Sequence, residues 1–125
     1  GAFHTAALDS AGELHLWGDD AFGKVSDKPN LTAGVVWRAV AAGGAHTAAI
    51  DSAGALHIWG DDTCHQVSDT PNLTAGVVWR AVAAGGAHTA AIDSAGALHV
   101  WGADNYDQVS DKPNLTAGVV WKAVA

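Results

Sequence analysis

The sequence predicts an all-β fold made of three copies of one 42-residue unit. Three observations carry this: a strict internal period, short β-branched and aromatic runs, and Gly- or Pro-bearing turns every 10 to 15 residues. His4, His46 and His88 each open the string His-Thr-Ala-Ala, 42 residues apart. Residues 4–45 and 46–87 agree at 34 of 42 positions, and 46–83 and 88–125 at 31 of 38. Identity of that order marks recent duplication or deliberate design. Helical repeats of similar period need long amphipathic stretches, and the turns interrupt every candidate.

Within a unit, Val35-Val36-Trp37-Arg38-Ala39-Val40-Ala41 opens with β-branched and aromatic residues and predicts a first strand, broken by Gly43-Gly44. His46-Thr47-Ala48-Ala49-Ile50 predicts a second, closed by the turn Asp51-Ser52-Ala53-Gly54. Leu56-His57-Ile58-Trp59 predicts a third, with Leu and Ile on one face and His and Trp on the other. A weaker fourth run lies around Gln66-Val67-Ser68, and Pro71-Asn72-Leu73-Thr74-Ala75-Gly76 reads as loop. Four short strands in such a length fit a blade of a β-propeller, about 40–45 residues.

Composition narrows the function. The chain has 125 residues, 49% of them hydrophobic, enough for one small domain. No apolar run approaches the roughly 18 residues of a membrane span. Lys plus Arg number 6 against 13 Asp plus Glu, a net charge of -7 that repels phosphate backbones and anionic lipid alike. No nucleic-acid or membrane partner is therefore expected. Cys64 is the single cysteine, has no counterpart in the other units and reads as incidental. The chain starts at Gly1 and contains no Met, so removal of a tag or signal peptide is expected.

The strings Ala83-Ala84-Gly85-Gly86-Ala87-His88-Thr89-Ala90-Ala91-Ile92 and Ala95-Gly96-Ala97-Leu98-His99-Val100-Trp101-Gly102 resemble the repeat of the regulator of chromosome condensation family, bacterial members most of all in spacing. The resemblance covers the chain three times over and implies a propeller of four-stranded blades, usually seven. After Trp-Gly the family pattern is x-Asn-x-x-Gly-Gln. Here Asp20, Asp62 and Asp104 take the Asn position, His65 and Asp107 replace the Gly kept as Gly23, and Lys24 replaces the Gln kept as Gln66 and Gln108. The founding member exchanges nucleotide on a small GTPase through an inserted hairpin. No such insertion occurs in this chain, so that activity is not carried over.

Three blades cannot close a ring, since natural propellers have roughly 4–8. The termini suggest completion by self-association. Trp121–Ala125 matches the first strand of a unit, and Gly1–Thr5 matches the end of the Gly turn and the start of the second strand. One chain's tail and another's head would rebuild a blade, with one residue fewer than the internal junction. The domain plan is then 1–125 as three repeats: 4–45, 46–87, and 88–125 plus 1–3 from a neighbouring chain. Two chains would give six blades and three chains nine, six being nearer the usual number.

Candidate chemistry competes with plainer roles. His4, His46 and His88 would form a ring that could ligate a metal, but their place beside a Gly turn reads as structural. His15, His57 and His99 alternate with core residues and read as solvated or packed between blades. Asp19-Asp20 and Asp61-Asp62 could bind Ca²⁺, yet the third unit has Ala103-Asp104, so turn chemistry is favoured. Trp17, Trp59, Trp101, Trp37, Trp79 and Trp121 could stack sugars, but fixed strand positions favour packing between blades. The Asn-Leu-Thr sequons at Asn30, Asn72 and Asn114 read as plain loop. No cofactor, metal or catalytic constellation is expected, and the chain reads as a non-enzyme.

The units differ most at Ala21-Phe22-Gly23, Thr63-Cys64-His65 and Asn105-Tyr106-Asp107. Loops on a rigid scaffold are where binding usually resides. The candidate ligand-binding set is therefore Asp20, Phe22, Lys24, Asp62, His65, Gln66, Asp104, Tyr106, Asp107 and Gln108. The leading expectation is a self-assembling propeller scaffold that displays these rim loops and has itself as partner. The alternative is a multivalent carbohydrate-binding propeller. The nature of a small-molecule or glycan ligand is not legible.

Overall fold

A computed structural model describes residues 3–105, 107–115 and 118–124. The chain is all-β, as the period implies. Its strands are β1 (His4–Leu8), β2 (Leu14–Gly18), β3 (Trp37–Ala42), β4 (His46–Asp51), β5 (Leu56–Gly60), β6 (Trp79–Ala84), β7 (His88–Asp93) and β8 (Leu98–Gly102). They form three antiparallel sheets, β1-β2, β3-β4-β5 and β6-β7-β8, one per unit.

Each hairpin is held by one Asp. Asp51 Oδ1 accepts from the backbone N–H of Ala53 at 2.9 Å and Ala55 at 3.0 Å, tying the turn that the sequence signalled. The first strand of a complete unit carries a bulge at Arg38: Trp37 pairs with Asp51 but Ala39 with Ile50. Strict alternation would put Trp37 and Ala39 on one face. The extra residue moves Trp37 to the face of Val40, towards the preceding unit, while Ala39 faces the following one. The same bulge recurs between Trp79 and Ala81.

Both faces of the middle sheet are buried, and the core lies between sheets. One cluster joins Leu14 of the first unit to Trp37, Ala49 and Trp59 of the second, with Leu8, Leu16 and Val40 around it. The next repeats it one period on, with Ile50, Trp79, Ala91 and Trp101, and Leu56 and Ile58 around them. The expected alternation of the third strand is thereby explained: Trp59 fills one seam, and Leu56 and Ile58 fill the next. At the inner ends the units meet backbone to backbone. Gly44 N–H donates to Gly85 O at 3.0 Å, and a Cβ on Gly44 would lie 2.4 Å from Gly86 O.

One expectation needs correction. The blades are not four-stranded among the described residues. Gln66-Val67-Ser68 is a turn, because Asp62 Oδ1 takes the N–H groups of Val67 at 2.8 Å and Ser68 at 2.9 Å and so removes them from any ladder. Trp121–Val124 repeats the start of β3 and β6, with Lys122 in place of Arg38 and Arg80, but lies in no sheet. Its pairing partner, by analogy with β4 and β7, would be a His-Thr-Ala-Ala strand after it.

Candidate functional site

The loops that follow each Trp-Gly were the expected ligand surface, and they divide sharply. Phe22, His65 and Asp107 are exposed, Phe22 at 62%. All three sit at positive φ, 63°, 60° and 60°. The Asp residues at the family's Asn position are occupied by the fold. Asp20 Oδ1 accepts from Val25 and Ser26, each at 2.8 Å, and Asp104 Oδ1 from Val109 at 2.7 Å and Ser110 at 2.9 Å. The Ser26 and Ser110 backbone N–H groups, foremost, hold these two carboxyls below the usual range. Asp62 makes the same pair of bonds, so all three work as turn clamps, as the turn reading of the acidic pairs anticipated.

Lys24 and Gln66 do not belong to a rim surface. They are buried, at 2% and 0% exposure. Lys24 Nζ is ion-paired with Asp19, and Gln66 Nε2 donates to Asp61 Oδ2 at 3.0 Å while its Oε1 accepts from Cys64 N–H at 2.9 Å. Gln108 is half-buried at the equivalent place. Tyr106 lies outside the described residues.

The carbonyls of residues 24 and 66 have a role that residue type did not signal. Lys24 O accepts from Thr47 Oγ1 at 2.9 Å and from Trp59 Nε1 at 3.0 Å, both on the next unit. Gln66 O accepts from Thr89 Oγ1 at 3.1 Å and Trp101 Nε1 at 3.0 Å. The histidine series completes each junction: His4 Nε2 lies 3.0 Å from Thr47 Oγ1, and His46 Nε2 3.0 Å from Thr89 Oγ1. A hydroxyl has one proton, and Thr89 gives it to Gln66 O. The His46 Nε2 must therefore donate, which assigns the neutral Nε2–H tautomer. Burial first, and then the charge of the His88 ring, push His46 down to about 4, so it is neutral at physiological pH. Among the described residues no three His, Cys, Asp or Glu side chains cluster closely enough to hold a metal ion. The histidine row is thus a set of seam struts.

A second repeated pair was also missed. His57 Nε2 lies 2.8 Å from Asp51 Oδ2, His99 Nε2 2.9 Å from Asp93 Oδ2, and His15 Nε2 2.8 Å from Asp9 Oδ2. Burial raises the Asp51 carboxyl, but the His57 ring and the Ala55 and Ala53 amides outweigh it and hold the carboxyl low. The imidazole also stands edge-on to Trp37 at 5.0 Å, so this histidine clamps the hairpin and packs the seam together. The signal available was the six-residue Asp-to-His spacing across a Gly turn in every unit. Clefts of about 290, 410 and 330 Å³ recur where each Pro-Asn-Leu loop passes its neighbouring hairpin.

With this geometry in hand, the repeat itself is diagnostic: residues 37–66 and 79–108 match the family model described as the regulator of chromosome condensation (RCC1) repeat. Two of the three units thus match that repeat. Among solved structures, human WBSCR16 is 27% identical with a TM-score of 0.67, covering 82% of this chain and 31% of its own. Prp20p from Saccharomyces cerevisiae, described together with its binding to Gsp1p and histones, is 26% identical with a TM-score of 0.66, covering 82% and 32%. The ectodomain of the Physcomitrella patens receptor kinase CR4 is 25% identical with a TM-score of 0.63, covering 80% and 26%. This chain thus spans about a third or less of each. Comparison with curated protein sequences finds no match.

RCC1-type propeller repeats are mostly interaction modules and exchange factors. The carbohydrate-binding alternative is set aside, since homologues of this family are not lectins. Four of the six Trp, Trp37, Trp59, Trp79 and Trp101, are buried between sheets, where no sugar can stack, while Trp17 is 52% exposed.

Proposed function

We propose that this chain is a non-enzymatic interaction scaffold, a propeller segment that completes its ring with a further copy of itself and presents its variable loops on one rim. The observation that carries this reading is the uneven completeness of the sheets. β4 and β7 each take a first strand on one edge and a hairpin partner on the other, whereas among the described residues β1 has only β2. In this reading the open edge of β1 and the Trp121–Val124 segment, which lies in no sheet, would be the two halves of one blade. An exposed strand edge favours pairing with another chain. Two copies would give six blades, each derived from the same unit.

The rim loops supply the display. Phe22, His65 and Asp107 are exposed on loops whose backbones are clamped by Asp20, Asp62 and Asp104. Their chemistry differs from unit to unit, which suits one asymmetric partner better than a set of equal sites. Native mass spectrometry across micromolar concentrations tests the assembly: a mass of two chains is expected, and a stable compact monomer sinks the reading. Transplanting Ala21-Phe22-Gly23 into the other units should leave the particle intact, because exposed loop changes usually cost within about 0.5 kcal/mol.

A further inference from the structure

The junction between units is a repeated chemical object, and the chain contains one more half of it at each flank. In both internal seams a Thr hydroxyl and a Trp indole converge on one carbonyl of the preceding unit, and a His ring of that unit donates to the Thr. The two donors are direct cross-strand partners on one hairpin, Thr47 with Trp59 and Thr89 with Trp101. Thr5 and Trp17 hold the same register on the β1–β2 hairpin. Their surroundings are opposite, however. Trp59 and Trp101 are 6% and 5% exposed, while Trp17 is 52% exposed. Thr47 and Thr89 are fully buried, while Thr5 is exposed.

The far flank carries the complement. Moving the second core cluster by one period places Ile92, Leu98, Val100, Leu115 and Trp121 where Ile50, Leu56, Ile58, Leu73 and Trp79 stand. Ile92 is already fully buried, whereas Leu115 is 38% exposed and Val119 and Val120 are 56% and 60% exposed. His88 is the third ring of its series, and the hydroxyl in register with it would be a Thr5.

We propose that this flank is the docking surface for the β1–β2 hairpin of a second copy of the chain, with Trp17 as its anchor. In the docked state the Trp17 indole and the Thr5 hydroxyl donate to the carbonyl of Gln108, and His88 Nε2 donates to Thr5. The occupant follows from continuity: the same two faces already pack against each other twice within one chain. The hairpin is also formed in the required register before docking, so little ordering is needed. A buried Trp at the centre of such a contact is the residue type that dominates interfaces. This proposal rests on the self-completion reading and names the residues that perform it.

Sedimentation velocity over a dilution series, with the emission maximum of tryptophan as a second readout, tests it on the 125-residue chain. Assembly should shift the emission to the blue as Trp17 is covered. Trp17→Ala should weaken association by about 30-fold or more per seam, the scale of an interface hot spot. Thr5→Val should weaken it by about tenfold per seam, since it removes the hydroxyl and keeps the shape. Neither residue belongs to an internal core cluster, so circular dichroism of the dilute variants should match the parent. Asp69→Asn, at an exposed position of the middle unit outside that seam, should leave association unchanged. A parent chain that never associates overturns the self-completion reading and the seam with it. A parent that associates, with Trp17→Ala and Thr5→Val associating equally well, overturns the seam alone.

Discussion

Replacing Thr89 by Val measures what one internal seam is worth. The substitution is close to isosteric and removes a hydroxyl that lies 3.0 Å from His46 Nε2 and 3.1 Å from Gln66 O, at a residue with no solvent exposure. The His46 ring is buried too, so its N–H would face a methyl group, a penalty of about 1–3 kcal/mol. Gln66 O keeps the Trp101 indole at 3.0 Å, so the loss there is about 0.5–1.5 kcal/mol. Together the cost is about 2–4 kcal/mol. Thr89→Ser keeps the hydroxyl and forfeits one methyl group, about 1 kcal/mol. Urea titration at one fixed protein concentration should place Val well below Ser. If Val costs less than about 0.5 kcal/mol, or less than Ser, the hydroxyl bridge does not hold the seam and the reasoning fails.

Further outcomes follow from individual geometries. Gly54 and Gly76 share a φ of +85°, but a Cβ on Gly54 would sit 2.5 Å from Val78 Cβ while one on Gly76 meets nothing within 4 Å. Gly76→Ala should therefore show only the backbone penalty, about 1 kcal/mol, and Gly54→Ala about 1–3 kcal/mol more, read by thermal melting. His65→Gly should stabilise by about 0.5–1 kcal/mol in urea titration, since it relieves a φ of 60°; Asp107→Gly should gain less, because Asp tolerates that region. Acid should weaken the fold in a defined window. His46 is lowered from 6.5 to about 4, so below 6.5 the unfolded chain takes up a proton that the folded chain refuses. Stability should fall by up to roughly 3 kcal/mol between those values and be flat in this respect above them, and His46→Gln should remove the slope. The lowered Asp51 and Asp93 carboxyls act further down, below their unfolded value of 3.8.

How much was legible can be judged residue by residue. The hairpins were readable because Asp51, Gly54 and the alternation of Leu56 to Trp59 act within a few positions of one another. The rim loops were only half readable. Phe22, His65 and Asp107 are exposed as expected, but Lys24 and Gln66 were grouped with them by proximity, and neither polarity nor charge revealed that their side chains turn inward. The fourth strand failed for a local reason of another kind: Asp62 competes for the Val67 and Ser68 amides, and propensity in Gln66-Val67-Ser68 carries no trace of that bond.

What the sequence alone determined is the unit: its period, its hairpins, its turns and its likeness to the regulator of chromosome condensation repeat. Those depend on short-range chemistry, which identical strings must repeat. What the tertiary structure decided is the environment of each copy. Thr5 and Thr89, or Trp17 and Trp101, are the same residues in the same strings, yet one of each pair is exposed and the other buried. The difference is whether a preceding unit packs against that face. Burial and hydrogen bonding across the seam belong to pairs of units, so they cannot be properties of any single one.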